Sequence, residues 1–212
     1  YGIRDYRGGG RSSARETTNW VVAGAVAQQF LDKVGVKVTA YVSAVGSIKM
    51  NKCYKDLDLS LIDRNIVRCP DSEYAEKMIS EIEKIKKEGD TTGGEITVIA
   101  SGVPVGWGEA VFDKLHADIG KSMLSINAVH GFKYGFGGVD IASSRGSDVN
   151  DIIIDKSGKT KTNYSGGIQG GISNGNDIYC EVFFKPVATI MQKQESIDIR
   201  GNKVEIKGKG RH

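Results

Sequence analysis

Five glycines fall within the ten residues Gly166-Gly167-Ile168-Gln169-Gly170-Gly171-Ile172-Ser173-Asn174-Gly175. So many glycines cost conformational entropy, and they are kept where backbone must turn sharply or let a ligand come close. The interleaved Ile168 and Ile172 argue against a flexible surface linker. The segment is therefore expected to be an ordered, closely approached loop. Strand-forming sequence follows it at Ile178–Phe184, which ends on Lys185-Pro186-Val187-Ala188-Thr189. That places an ammonium and a hydroxyl at a strand end, as a ligand contact or as an ordinary strand terminus.

A second unusual stretch opens the chain. Residues 1–15 carry four arginines, opposed only by Asp5, among several glycines. Within it, Arg11-Ser12-Ser13-Ala14-Arg15-Glu16-Thr17 leads into a helical pattern. Hydroxyls and backbone N–H groups at a helix start can cradle a phosphate, which the helix dipole favours. Arg11 and Arg15, four residues apart, would share a helical face and could grip one anion. A solvated basic first turn is the competing reading, and chemistry alone does not separate the two.

The elements around these stretches mix helix and strand. Val22, Val26, Phe30 and Val34 repeat at helical period over about Thr18–Val34. Ala23, Gly24, Ala25 and Ala27 make that helix rich in small residues, so it is expected to be buried, and Gly35 stops it. Val36–Val42 alternates and is β-branched, hence a strand. Pro70-Asp71-Ser72 introduces a helix whose apolar stripe is Tyr74, Met78, Ile82 and Ile85, closed by basic residues and Gly89. Glu95–Ser101 reads as a strand and Ala110–Ser125 as mostly helical. Ile152–Thr160 looks like a strand entering a tight turn, and Ser196–Ile199 and Lys203–Ile206 flank a turn at Arg200-Gly201-Asn202. A faint internal echo links Val36–Val42 and its following helix to Ile178–Phe184 and Gly210-Arg211-His212.

Several function classes fall away. No apolar run approaches the roughly 20 residues of a membrane helix. A net charge of +3 is too small to argue for nucleic acid. One Arg7-Gly8-Gly9-Gly10-Arg11 copy without aromatic-interleaved repeats is poor evidence for RNA binding. Gly158-Lys159-Thr160 lacks the second glycine a phosphate-binding loop needs, because position 153 is Ile. Cys53, Cys69 and Cys180 form no CxxC pair, and reduced thiols favour the cytoplasm. His116, His130 and His212 have no metal-ligand spacing, so no metal is expected.

Taken together, these stretches resemble the chorismate synthase family. Arg4–Thr17 reads as the family's RDYRGGGRSSARET signature, and Asn163–Gly175, NYSGGIQGGISNG, as its glycine-rich flavin loop. Lys185–Thr189 is similar to its KPVAT motif. Arg145-Gly146-Ser147-Asp148 with Asn150-Asp151 is similar to its RGS(E/D)xND stretch, and Gly210-Arg211-His212 to the start of its GRHDP motif. The resemblance implies an α+β fold, a β-α-β sandwich with helices between two antiparallel sheets and internal pseudo-symmetry. It implies a homotetramer, reduced FMN as cofactor and 5-enolpyruvylshikimate 3-phosphate (EPSP) as small-molecule substrate, with no nucleic acid or membrane partner. The reaction implied is a 1,4-anti elimination of phosphate that yields chorismate.

By the same resemblance, Arg11, Ser12, Ser13, Asn127, Ala128, Gly170, Lys185, Pro186, Val187, Ala188, Thr189 and Arg211 contact FMN. Arg15 is the candidate for the anionic groups of EPSP. The family's two catalytic histidines and the Asp of GRHDP are expected outside the 212 residues, and the three histidines present do not occupy their positions. Residues 1–212 are thus expected to be a single domain, a truncated core without acid–base groups and inactive alone. A non-catalytic flavin- or anion-binding fragment is the alternative.

Overall fold

In the computed structural model, residues 9–156 and 158–208 are described. Two short 3-10 turns, Gly10–Ser12 and Ala14–Glu16, lead into α1 (Thr17–Lys33). Then come β1 (Lys37–Val45), β2 (Ile48–Lys49), α2 (Ser72–Lys87) and β3 (Gly94–Ser101). They are followed by α3 (Leu115–Leu124), β4 (Val129–Tyr134) and α4 (Gly146–Val149). The C-terminal part holds β5 (Ile168–Gln169), β6 (Ile172–Ser173), β7 (Ile178–Phe184), β8 (Lys193–Ile197) and β9 (Lys203–Lys207). One sheet has the order β2-β1-β3-β7-β4, and β5-β6 and β8-β9 are separate ribbons. The class is α+β.

The chain divides into two compact units. One comprises residues 1–40 and 97–182, the other 41–96 and 183–212. In the first unit, Val36, Val103, Ile168 and Ile178 form a buried cluster, with Leu31, Ala100, Leu115, Ile119 and Tyr134 packed against it. In the second, Met78 and Cys69 are fully buried.

Both long helices end in the same way. At α1, Val36 N–H reaches Leu31 C=O at 3.0 Å and Gly35 N–H reaches Asp32 C=O at 3.2 Å. At α2, Asp90 N–H reaches Ile85 C=O and Gly89 N–H reaches Lys86 C=O, each at 3.1 Å. Each is a Schellman motif, and each needs the left-handed glycine that the sequence supplies at 35 and 89 (φ +79° and +71°).

The lead-in to α2 is chemical. Asp71 accepts from Tyr74 N–H at 3.0 Å, satisfying one of the helix's unpaired first-turn donors, and Lys52 Nζ sits 2.5 Å from its carboxylate. The Lys52 hydrogen bond is the largest cause holding the Asp71 carboxyl below the usual carboxylate range. A depressed folded-state pKa means stability present above the unfolded value and lost as pH falls through the folded one. Asp71→Ala is therefore expected to cost about 1 kcal/mol at pH 7. The gap should shrink below about pH 4, in urea titrations run at both values.

Three expectations are corrected. The α1 helix forms nearly where expected but has no buried residue, with Val21, Val26 and Phe30 each more than 60% exposed. Small apolar residues suit a helix to close packing, but burial needs a partner: Leu31 in the last turn packs against the first unit's core, while most of the helix stays exposed. The helix expected from Ala110 begins only at Leu115, because a Glu109–Asp113 bridge occupies the preceding residues. Ile152–Thr160 forms a single bridge, Ile153 to Thr160, around a turn. Ile152, Ile153 and Ile154 stay exposed there, although Ile154 N–H reaches Lys159 C=O and Lys161 N–H reaches Ile152 C=O, each at 2.8 Å.

Candidate functional site

In the first unit, the Arg11–Arg15 segment is two successive 3-10 turns ahead of α1. Side chains set this local shape. Ser12 Oγ donates to Gly9 C=O at 2.5 Å, Ser13 Oγ accepts from Arg15 N–H at 3.3 Å, and Thr17 Oγ1 donates to Ala14 C=O at 2.7 Å. Arg11, Ser12 and Arg15 are exposed and Ser13 half-buried. Because α1 begins at Thr17, Arg11 and Arg15 do not share a regular helical face.

Asn127 ties to this segment: its Nδ2 donates to Ser12 C=O at 3.1 Å, across 115 residues of sequence. Ala128 beside it has φ +68°. A left-handed alanine is uncommon, and such backbone gathers where geometry matters for function.

Gly170 and Gly171, at φ +61° and +90°, form the two-residue turn of the β5–β6 hairpin, with Ile168 opposite Ser173 and Gln169 opposite Ile172. Positive φ at both central residues matches the twist of tight hairpins. The two glycines face different surroundings. A Cβ on Gly171 would lie 2.5 Å from the Lys114 side chain, whereas one on Gly170 would meet nothing within 4 Å. Gly171 C=O accepts from Leu115 N–H at 2.8 Å, anchoring the hairpin to the start of α3. Thus Gly170 lies near one end of α3 and the Ser12–Asn127 contact near the other. A helix of ten residues is about 15 Å long.

In the second unit, Lys185–Thr189 follows β7 and is exposed. Thr91 Oγ1 donates to Val187 C=O at 2.7 Å. Gly93 is needed where it stands, because a Cβ there would lie 2.6 Å from Phe184 C=O. A cavity of about 580 Å³, lined mostly by apolar side chains such as Val42, Ile82, Ile85, Phe184 and Met191, includes Val187 and Thr189 in its wall. Arg211, and Arg4 to Arg7 of the first signature, lie outside the described residues.

Sequence reasoning assigned no role to Asp151, Asn163 or Tyr179, which hold the lead-in to the glycine hairpin. A carboxylate at the end of the Arg145–Asp151 stretch, facing a Thr/Ser-rich loop, was the available signal. His116 stacks on Tyr134 with ring centroids 4.9 Å apart, and its Nδ1 is buried without a hydrogen-bond partner among the described residues. His130 is exposed on β4. Burial pushes the Cys180 thiol up to about 12 and also raises Cys69, so neither is a ready nucleophile. No described group of three or more His, Cys, Asp or Glu side chains could hold a metal ion.

The chorismate synthase family model matches residues 1–212. The chain belongs to the chorismate synthase family. It is 58% identical over 212 residues to the chorismate synthase of Christiangramia forsetii, covering all of this chain and 59% of that protein. To the chorismate synthase of Phocaeicola vulgatus it is 56% identical over 214 residues, covering all of this chain and 60% of the relative. Among solved structures, a crystal structure of chorismate synthase superposes with a TM-score of 0.76 at 30% identity, covering 83% of this chain and 57% of that one. The chain thus spans about 60% of the length of the curated chorismate synthases it matches.

Proposed function

We propose that the protein carrying this chain is a chorismate synthase, a lyase that eliminates phosphate from EPSP with reduced FMN bound. The observation that carries the reading is the family match over the whole chain, joined to the Ser12–Asn127 contact between two of the expected cofactor segments. The donor set suits a phosphorylated flavin. It offers exposed guanidinium and hydroxyl groups, a left-handed Ala128 and an open face at Gly170.

In this reading Arg11, Ser12, Ser13, Asn127, Ala128, Gly170, Lys185–Thr189 and Arg211 hold FMN, and Arg15 binds an anionic group of EPSP. Reduced flavin supplies transient electron density for a 1,4-anti elimination without net redox change. The basic side chains counter the charges of cofactor and substrate and stabilise the departing phosphate. Proton transfer is assigned to none of the described residues. A homotetramer in a reducing cytoplasm is the proposed working state, with the free, buried thiols of Cys69 and Cys180 in support.

Arg11→Ala is expected to weaken FMN binding about tenfold or more, the effect of losing one charge-assisted contact. Flavin fluorescence titration reads this, and anaerobic chorismate formation from EPSP with reduced FMN tests the activity. Unchanged flavin affinity would remove Arg11 from the site. No EPSP turnover by the protein that carries this sequence would leave a flavin-binding module.

A further inference from the structure

We propose that Asp151 is the positioning residue of the glycine-rich hairpin, its carboxylate fixing the backbone that presents Gly170 to the flavin. This rests on the reading of that hairpin as part of an FMN site. Asp151 follows α4, at the end of the Arg145–Asp151 stretch. Its Oδ1 accepts from Tyr164 N–H at 2.8 Å and from Thr162 Oγ1 at 2.7 Å, and its Oδ2 accepts from Ser165 N–H at 2.8 Å. Two consecutive backbone amides therefore converge on one half-buried anion, which uses both of its oxygens.

The residues on either side of that clamp are held as tightly. Asn163 Oδ1 accepts from Gly167 N–H and its Nδ2 donates to Asp177 C=O, both at 2.8 Å. Tyr179 OH donates to Asn163 C=O and accepts from Gly137 N–H, both at 2.9 Å. From Gly167 the chain enters β5 directly, so the orientation of residues 163–167 sets that of the Gly170 turn. Glycine cannot hold such a path by itself, because it carries no side-chain restraint and the largest backbone freedom. The restraint must come from neighbours, and Asp151 supplies a charged acceptor for two amides of that path. Burial raises its pKa, but the hydrogen bonds from Ser165, Thr162 and Tyr164 outweigh that and keep the carboxyl below its usual range. The clamp is therefore ionised at neutral pH.

The test is Asp151→Asn in the protein that carries this sequence, read by backbone amide exchange and by FMN titration. The amide has one acceptor oxygen and turns its NH2 toward a backbone N–H. Exchange at Tyr164 and Ser165 is expected to quicken about tenfold or more, and the FMN Kd to rise about tenfold. The visible circular dichroism of saturated, bound FMN should also change, which loss of general stability alone would not produce. Thr162→Val, which deletes one donor and spares both amides, should give about threefold effects on exchange and Kd.

Unchanged FMN affinity and dichroism in folded Asp151→Asn would overturn the positioning role while leaving the flavin site intact. Should that variant not fold, an unchanged FMN Kd in Thr162→Val does the same. Wild-type protein that takes up no FMN would instead overturn the reading on which the proposal stands.

Discussion

Gly102→Ala is expected to destabilise the protein by about 3–5 kcal/mol, more than any other alanine substitution at a glycine of α1 or β3 and their turns. Gly102 follows β3 with φ +74°, which costs an alanine about 1–2 kcal/mol by itself. The larger cost is steric. A Cβ at 102 would lie 2.3 Å from Gly35 C=O and 3.3 Å from the carbonyl carbon. That oxygen belongs to the Schellman turn closing α1, so it cannot swing aside as a side chain would. Relief requires moving the turn, and with it Val36, which is 2% exposed in the first unit's core.

Gly35→Ala is the control. Its φ of +79° is just as left-handed, yet its Cβ would meet nothing within 4 Å. It should cost only about 1 kcal/mol. At about 2–4 °C per kcal/mol for a chain this long, thermal melts should place the two variants roughly 5–15 °C apart. Equal losses at the two positions would mean that conformation rather than contact governs this turn.

The features legible in the sequence are those set by near neighbours. Asp71 as a cap and Gly89 as a stop bounded α2 almost to the residue, because cap chemistry acts over three or four positions. Ile178–Phe184 was readable as β7 because an apolar, β-branched and aromatic run has few other uses. Strand β4 was missed, although His130, Phe132 and Tyr134 alternate along it, because Gly131 and Lys133 dilute the pattern. The burial expected for α1 failed for a different reason. Periodicity shows which face can be buried, while coverage depends on elements far away in the chain.

The same division runs through the candidate site. Arg11–Arg15 and the glycine hairpin stood out locally, one by charge and the other by backbone freedom. What connects them to the fold did not. The Ser12–Asn127 bond spans 115 residues, and the Asp151 clamp acts across an intervening turn. An acid in a polar loop is ordinarily a solvated side chain, so the Thr/Ser-rich loop that follows Asp151 was a weak signal, and it did not say that two consecutive amides converge on that carboxylate.

Met78→Ala is expected to cost about 3 kcal/mol, within the usual 2–5 kcal/mol for removing a large core side chain. Met78 is fully enclosed in the second unit, at 0% exposure, and an alanine there leaves a void that close-packed neighbours fill only in part. Ile82 lies one turn further along the same stripe but is 38% exposed, in the wall of the 580 Å³ cavity. With over a third of the residue still in water and the cavity beside it open, Ile82→Ala should cost less, about 1–2 kcal/mol. Urea unfolding of the two variants separates two pictures of α2. A large loss at 78 and a small one at 82 means that the helix is held by its first half, with the cavity open to solvent. Equal losses would mean that the cavity is filled in the working protein, because only a covering group could make Ile82 behave as core.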